Sequence, residues 1–312
     1  MAATVRRHAI ELAGLQVPVV EVTGSADGPR LTVIAGVHGC EYASMAGVRK
    51  WVNGLAGPDG SGTDLRGSVR AVPVLNLPAF EARSPFVIPE DGKNLNRFFP
   101  GDPNGTITER LAHGAFTQLI TGSDAYIDAH CGDQPEALEP FTLYDAGPAE
   151  ERAAGMARAY GLGYMIRQEP GPGMPIGGTS SAAAAAAGIP AITAEAGGCG
   201  LLEPAAVEMH VRGLNQVLAF LGMISGDDGS GGPAPTMLNQ FLWMRAKHAG
   251  WWEPTVAVGE SVAKGQVIGT ITSLDGTDLL ESIESPADGL PIFITASPAV
   301  VADGLLLGLG AA

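Results

Sequence analysis

The chain has 312 residues, 46% of them hydrophobic and only 16% charged, which excludes a disordered polymer and suits one large domain followed by a smaller one. Its formal charge of −15, without a Lys/Arg run or an aromatic-basic repeat, argues against a nucleic-acid partner. No apolar run is long enough to span a membrane, the start lacks the apolar core of a signal peptide, and three cysteines make no even-numbered disulfide scaffold, so a cytoplasmic location and no membrane partner are expected.

Residues 5–12 and 17–22 read as strands joined by a tight turn, and 31–35 as a β-branched strand ending at Gly36. From Glu41 onward Met45, Val48, Trp51, Val52 and Leu55 recur at helical spacing, so a strand, the loop 36–40 and a helix follow in order. Residues 69–75 form a second buried strand. The stretch 76–103 is a long Pro-rich excursion without a period, of the kind that often carries function. A helix over about 108–120 leads into a strand at 125–129, and another over about 148–160 into a strand at 163–167. An alanine-rich helix at 180–187 precedes a strand at 191–194, and a helix over about 204–224 follows. This alternation predicts a largely parallel sheet with helices on both faces. Residues 225–236 are rich in Gly, Pro and Asp and read as a linker between a domain at 1–224 and one at 237–312, where short alternating strands predict a small β barrel or sandwich.

His38 and Glu41 stand three apart across the turn from strand to helix, where both side chains can converge above the carboxyl end of a sheet. Alone, such a pair is a weak signal, because an ordinary loop histidine and a first-turn carboxylate facing the helix dipole give the same pattern more often. His130, at the end of an apolar strand, supplies a third ligand, and a His₂Glu set leaves a position open for water, as catalytic zinc sites do. Asp128 shares its face of the strand and either orients an imidazole or caps the strand. Glu195 closes another apolar strand, where a carboxylate is costly without a task; it serves as a general base or pairs with an arginine. The acidity of the chain repels anions at long range, so a bound carboxylate needs a local arginine. Asn96 and Arg97 offer an amide donor and a planar fork, although a turn with a solvent-facing arginine looks the same in sequence.

The stretches GVHGCE (36–41), DGKNLNRFFPG (91–101), DAHCGD (128–133) and TAEAGG (193–198) together resemble the succinylglutamate desuccinylase/aspartoacylase family, a relative of the zinc carboxypeptidases. The resemblance implies an α/β fold with a mixed, largely parallel central sheet flanked by helices, plus a small C-terminal all-β barrel-like domain. It implies one zinc ion per chain on His38, Glu41 and His130, Glu195 as the base that activates water, and Asn96 and Arg97 on the carboxylate of a small N-acyl amino acid substrate. Where relatives usually carry Asp before the Leu-Asn-Arg triplet this chain has Asn94, which removes a charge that could brace Arg97. An arginine that polarises the scissile carbonyl is expected upstream of the DG turn, and Arg83 is the nearest candidate. Cys40, Cys131 and Cys199 neighbour the motifs and read as small packing residues. The C-terminal segment resembles the biotinyl and lipoyl carrier barrel, but residues 267–284 hold no acceptor lysine. Two other readings stay open: a metallocarboxypeptidase acting on a peptide, and a non-catalytic zinc-dependent module that binds a small acid. Assembly into a homo-oligomer is compatible with this sequence.

Overall fold

The computed structural model describes residues 3–57, 64–169 and 178–311. Its central sheet has nine strands, in the order Thr4–Leu12, Leu15–Thr23, Arg66–Val72, Ala26–Ala35, Ala125–His130, Ala191–Glu195, Phe141–Asp145, Tyr164–Gln168 and Thr236–Leu238. From Arg66–Val72 to Ala191–Glu195 the strands run parallel. The two N-terminal strands are antiparallel additions, and Phe141–Asp145 turns the direction over for the last three. The sheet is therefore mixed and largely parallel, as the sequence implied.

Alternation along each strand divides the core into two layers. Leu31, Val33 and Ala35 pack with residues of helices Tyr42–Ala56, Glu150–Tyr160 and Pro204–Phe220, while Ile34 joins Leu111, Ala115 and Ala184 from helices Ile107–Ala115 and Ser180–Ala186 on the opposite face. Helix Tyr42–Ala56 buries Met45, Val48, Trp51, Val52 and Leu55, the residues whose spacing predicted it. Among the described residues no helix is long and apolar enough to cross a membrane.

The departures from the sequence expectations have local causes. The strand expected at 69–75 is Arg66–Val72; beyond it Pro73 has no N–H for the ladder, and Leu75 N bonds to Ala35 O at 3.0 Å. The aperiodic excursion holds helix Leu77–Ala82, the pair Val87–Ile88 with Lys93–Asn94, and a 3₁₀ turn at Leu95–Arg97, each too short to show a period. The helix expected to reach residue 120 is α-helical to Ala115 and π-helical over Phe116–Ile120. Strands Glu136–Leu138 and Phe141–Asp145 were not expected at all.

The C-terminal residues form two four-stranded sheets around Trp252, Ile268, Ile271, Leu307 and Leu309. One contains Gln240–Arg245, Leu305–Ala311 and Leu290–Thr295, and its edge is completed by Glu136–Leu138, which pairs antiparallel with Leu290–Thr295. In the other direction Thr236–Leu238 extends the central sheet alongside Tyr164–Gln168. These exchanged strands hold the C-terminal sheets against the carboxyl ends of the central strands, and Phe241, Trp243 and Phe293 become part of a cavity wall there.

Candidate active site

Strand Ala26–Ala35 delivers the chain to Gly36, whose φ of +66° favours glycine, and a Cβ there would lie 3.0 Å from Val74 Cα. Gly39 is packed more tightly still: its Cβ would fall 2.3 Å from the carbonyl carbon of Ala79. The loop can therefore tuck against helix Leu77–Ala82, and His38 is buried. Glu41 stands at the N-cap of helix Tyr42–Ala56 without capping it. Its carboxylate bridges two imidazoles instead, with Oε1 2.6 Å from His38 Nδ1 and Oε2 2.8 Å from His130 Nδ1.

The outer nitrogens set the tautomers. Asn94 Oδ1 accepts from the Asn96 backbone N–H at 2.9 Å, so its contact with His38 Nε2 at 3.0 Å has Nε2–H donating to the same oxygen. Asp128 Oδ2 lies 2.9 Å from His130 Nε2 and also accepts from Ser180 Oγ, which in turn takes a 2.9 Å bond from Tyr126 OH. Both imidazoles thus turn Nδ1 toward Glu41. Burial alone would push Glu41 up and His130 down. The facing charges reverse both, so Glu41 falls to about 2 and His130 is held well above the ordinary imidazole range.

Donor atoms of His38, Glu41 and His130 lie within 4.8 Å of one another, and all three residues are buried. Two imidazole lone pairs and a carboxylate facing one point require positive charge between them, either protons or a metal ion. The set suits a divalent ion with nitrogen and oxygen ligands, and the Nε2 contacts to Asn94 and Asp128 are the outer partners such ligands need. The buried Asp128 Oδ1 has no hydrogen-bond partner.

Glu195 ends strand Ala191–Glu195 in register with His130. Burial raises its carboxyl to about 8, with Glu41, Glu136 and Asp128 adding to the rise and His130 opposing it. A carboxylate titrating near neutrality suits proton transfer. Glu195, His38, Glu41 and His130 all line one cavity of about 570 Å³.

Asn96 and Arg97 line the same cavity. The Asn96 amide is occupied by the protein: Oδ1 accepts from Ser180 N at 2.9 Å, and Nδ2 lies 3.5 Å from Asp128 Oδ2. Arg97 Nη1 donates to Asn96 O at 2.7 Å, and burial lowers its guanidinium pKa, with Glu136 opposing and Arg245 adding. Among the described residues that line the cavity, Arg97 is the single lysine or arginine. Asn94 faces His38 rather than Arg97. Arg83 is not brought to the cavity: it is the exposed C-cap of helix Leu77–Ala82, in a left-handed conformation with φ 54°. The cysteines are free, and Cys131 packs with Ala43 and Ala206.

Sequence reasoning missed Glu136 and the aromatic wall of Phe241, Trp243 and Phe293. Glu136 follows the His130 motif closely, which was the available signal. The aromatics reach the cavity through strand pairing distant in sequence and left no signal.

Residues 27–221 match the family model of the succinylglutamate desuccinylase/aspartoacylase catalytic domain. Among curated proteins, an N-alpha-acetyl-L-2,4-diaminobutyric acid deacetylase of Halomonas elongata is 30% identical over 258 residues, covering 81% of this chain and 73% of that protein. A succinylglutamate desuccinylase/aspartoacylase structure from Rhodobacter sphaeroides superposes with a TM-score of 0.82 at 26% identity, over 98% of this chain and 94% of that one. The product-bound ectoine utilization protein EutE (DoeB) of Ruegeria pomeroyi shares the fold at a TM-score of 0.85 and 22% identity, over 100% of this chain and 96% of its own. With this match spanning the strand ends that carry His38, Glu41, His130 and Glu195, the chain belongs to the succinylglutamate desuccinylase/aspartoacylase family.

Proposed function

We propose that the chain, an amide-bond hydrolase by family, cleaves a small N-acyl amino acid and holds one zinc ion on His38, Glu41 and His130. The observation that carries this reading is the convergence of those three donors beside a carboxylate, Glu195, whose pKa lies near neutrality. When bound, zinc would supply a Lewis acid that polarises the acyl carbonyl and acidifies water.

The chain's own groups do the rest. Glu195 takes a proton from the attacking water and returns it to the leaving amine, a task that its raised pKa suits in both directions. Arg97 receives the free carboxylate, the local cation that a chain of charge −15 requires. Asn96 holds the Arg97 turn against Ser180 and thereby fixes the approach of the guanidinium. Arg83, outside the cavity, has no place in this scheme. Residues 1–224 carry the chemistry, 225–236 link, and 237–312 close the cavity, whose aromatic wall favours a small substrate over an extended peptide. A cytoplasmic setting accords with the three free cysteines.

The test is a screen of N-acetyl, N-succinyl and N-formyl amino acids, scored by released amine, before and after exhaustive chelation and after zinc is restored. We expect hydrolysis that chelation abolishes and zinc returns. Turnover that survives chelation would remove the metal from the scheme, and cleavage confined to peptides would favour the carboxypeptidase reading.

A further inference from the structure

We propose that His210, braced by Tyr160, is a positioning residue for Glu195: it pins the peptide that follows the base and so aims the carboxylate. The inference rests on the amide-hydrolase reading above, with Glu195 as the base, and concerns a side chain that does not line the cavity.

Strand Ala191–Glu195 keeps its neighbours as far as Glu195, which pairs with His130 on one side and Phe141 on the other. Two residues later the chain turns at Gly197, whose φ is +92°. The buried peptide groups between need partners from elsewhere. Ala196 N donates to His130 O at 3.2 Å, and Ala196 O accepts from His210 Nε2 at 3.1 Å. A carbonyl only accepts, so the proton sits on Nε2, and Nδ1 is left to accept from Tyr160 OH, 2.8 Å away. Tyr160, His210 and Ala196 are all fully buried. Burial pulls the His210 imidazole down to about 4, with the Ala196 carbonyl, Glu41 and the His130 carbonyl opposing, so the ring stays neutral with its tautomer fixed.

The fold makes room for this pair at two helix-interior glycines. A Cβ on Gly47, within helix Tyr42–Ala56, would fall 2.6 Å from His210 Cβ, and one on Gly213, within helix Pro204–Phe220, would fall 2.4 Å from Tyr160 Cδ1. Glycine is the poorest helix former after proline, so two helices give up local stability where the imidazole and the phenol are seated. Tyr160 itself ends helix Glu150–Tyr160, so three helices meet behind one strand end. Strand alternation places Ala194 and Ala196 in that helix layer and turns Glu195 to the opposite face, toward the cavity. With the peptide groups on both sides of Ala196 held, the Cα–Cβ bond of Glu195 keeps one direction relative to His130.

The experiment is a double-mutant cycle on zinc-loaded protein, read on the N-acyl amino acid that the screen above turns over fastest. His210→Leu removes the donor at similar volume and should lower kcat by about tenfold, the scale of one hydrogen bond, with KM and bound zinc unchanged. His210→Gln, whose amide can donate where Nε2 does, should recover much of that loss. In the Glu195→Gln background His210→Leu should change the residual kcat by less than about twofold, because a base already removed cannot be misaimed. Should His210→Leu not fold, Tyr160→Phe carries the same cycle: a fall in kcat of about threefold that vanishes in the Glu195→Gln background. An equal fall in both backgrounds, a loss carried by KM or by zinc release, or a His210→Gln variant no better than His210→Leu would overturn the inference and leave the hydrolase reading standing. Absence of turnover on any N-acyl amino acid would overturn both.

Discussion

His38 and His130 are both held through Nε2, but by groups of different charge. Asn94 offers a neutral amide oxygen to His38, and Asp128 a carboxylate to His130 that is fully buried and already bonded by Ser180. A carboxylate partner makes an imidazole the stronger metal ligand, so in the proposed zinc site the two would contribute unequally. Asp128→Asn should weaken zinc binding by ~10- to 100-fold, and Asn94→Asp should tighten it, both read by competition with a chelating dye. Glu195 lies outside the ligand set, and its replacement separates binding from chemistry. Glu195→Gln should keep stoichiometric zinc while kcat falls by ~100-fold or more, whereas His130→Ala should lose the metal itself. A Glu195→Gln enzyme with wild-type kcat would assign the base elsewhere.

At the scale of elements, the ligand geometry depends on how closely the loop 36–40 meets helix Leu77–Ala82. Asn76 caps that helix by accepting from Ala79 N at 3.2 Å, and its Nδ2 donates to Val37 O at 2.9 Å, so one side chain ties helix and loop together. Gly39→Ala would push a methyl group into the Ala79 backbone. We expect a loss of roughly 2 kcal/mol in chemical denaturation and weaker zinc binding, because His38 moves with the loop. A variant as stable as wild type with unchanged zinc affinity would show that the contact relaxes freely. The sequence announced the strand, loop and helix through apolar spacing, yet the short helix itself was hidden inside a stretch without a period.

For the whole molecule, the cavity concentrates groups whose protonation changes on folding. Glu195 and Glu136 rise to about 8 and about 7 from the ordinary 4.5, and His130 is raised above 6.5. For each, the folded state holds a proton that the unfolded chain releases at lower pH. The stability they contribute is complete below the unfolded value and is lost as pH rises through the folded one. The metal-free protein should therefore melt at a progressively lower temperature as pH rises from about 4.5, the ordinary carboxyl value, to about 8, and Glu195→Gln should flatten part of that slope. Zinc should lift the whole curve by binding the folded state alone. A metal-free melting temperature that climbs across this window would contradict the assigned directions.

Much of the candidate centre could be read from the chain itself, because polar side chains at the ends of apolar strands interrupt a pattern that is otherwise hydrophobic. His38, Glu41, His130 and Glu195 each stand where a buried run meets a Gly-containing turn, and a polar side chain there costs free energy unless it has a task. Tertiary structure alone decided what those groups meet. That Asn94 serves His38 and not Arg97, that Arg83 caps a helix and does not line the cavity, and that Glu136 does line it all depend on pairings between distant strands. Local periodicity reports which face of an element is buried; the partner across the gap is set by packing of the whole chain.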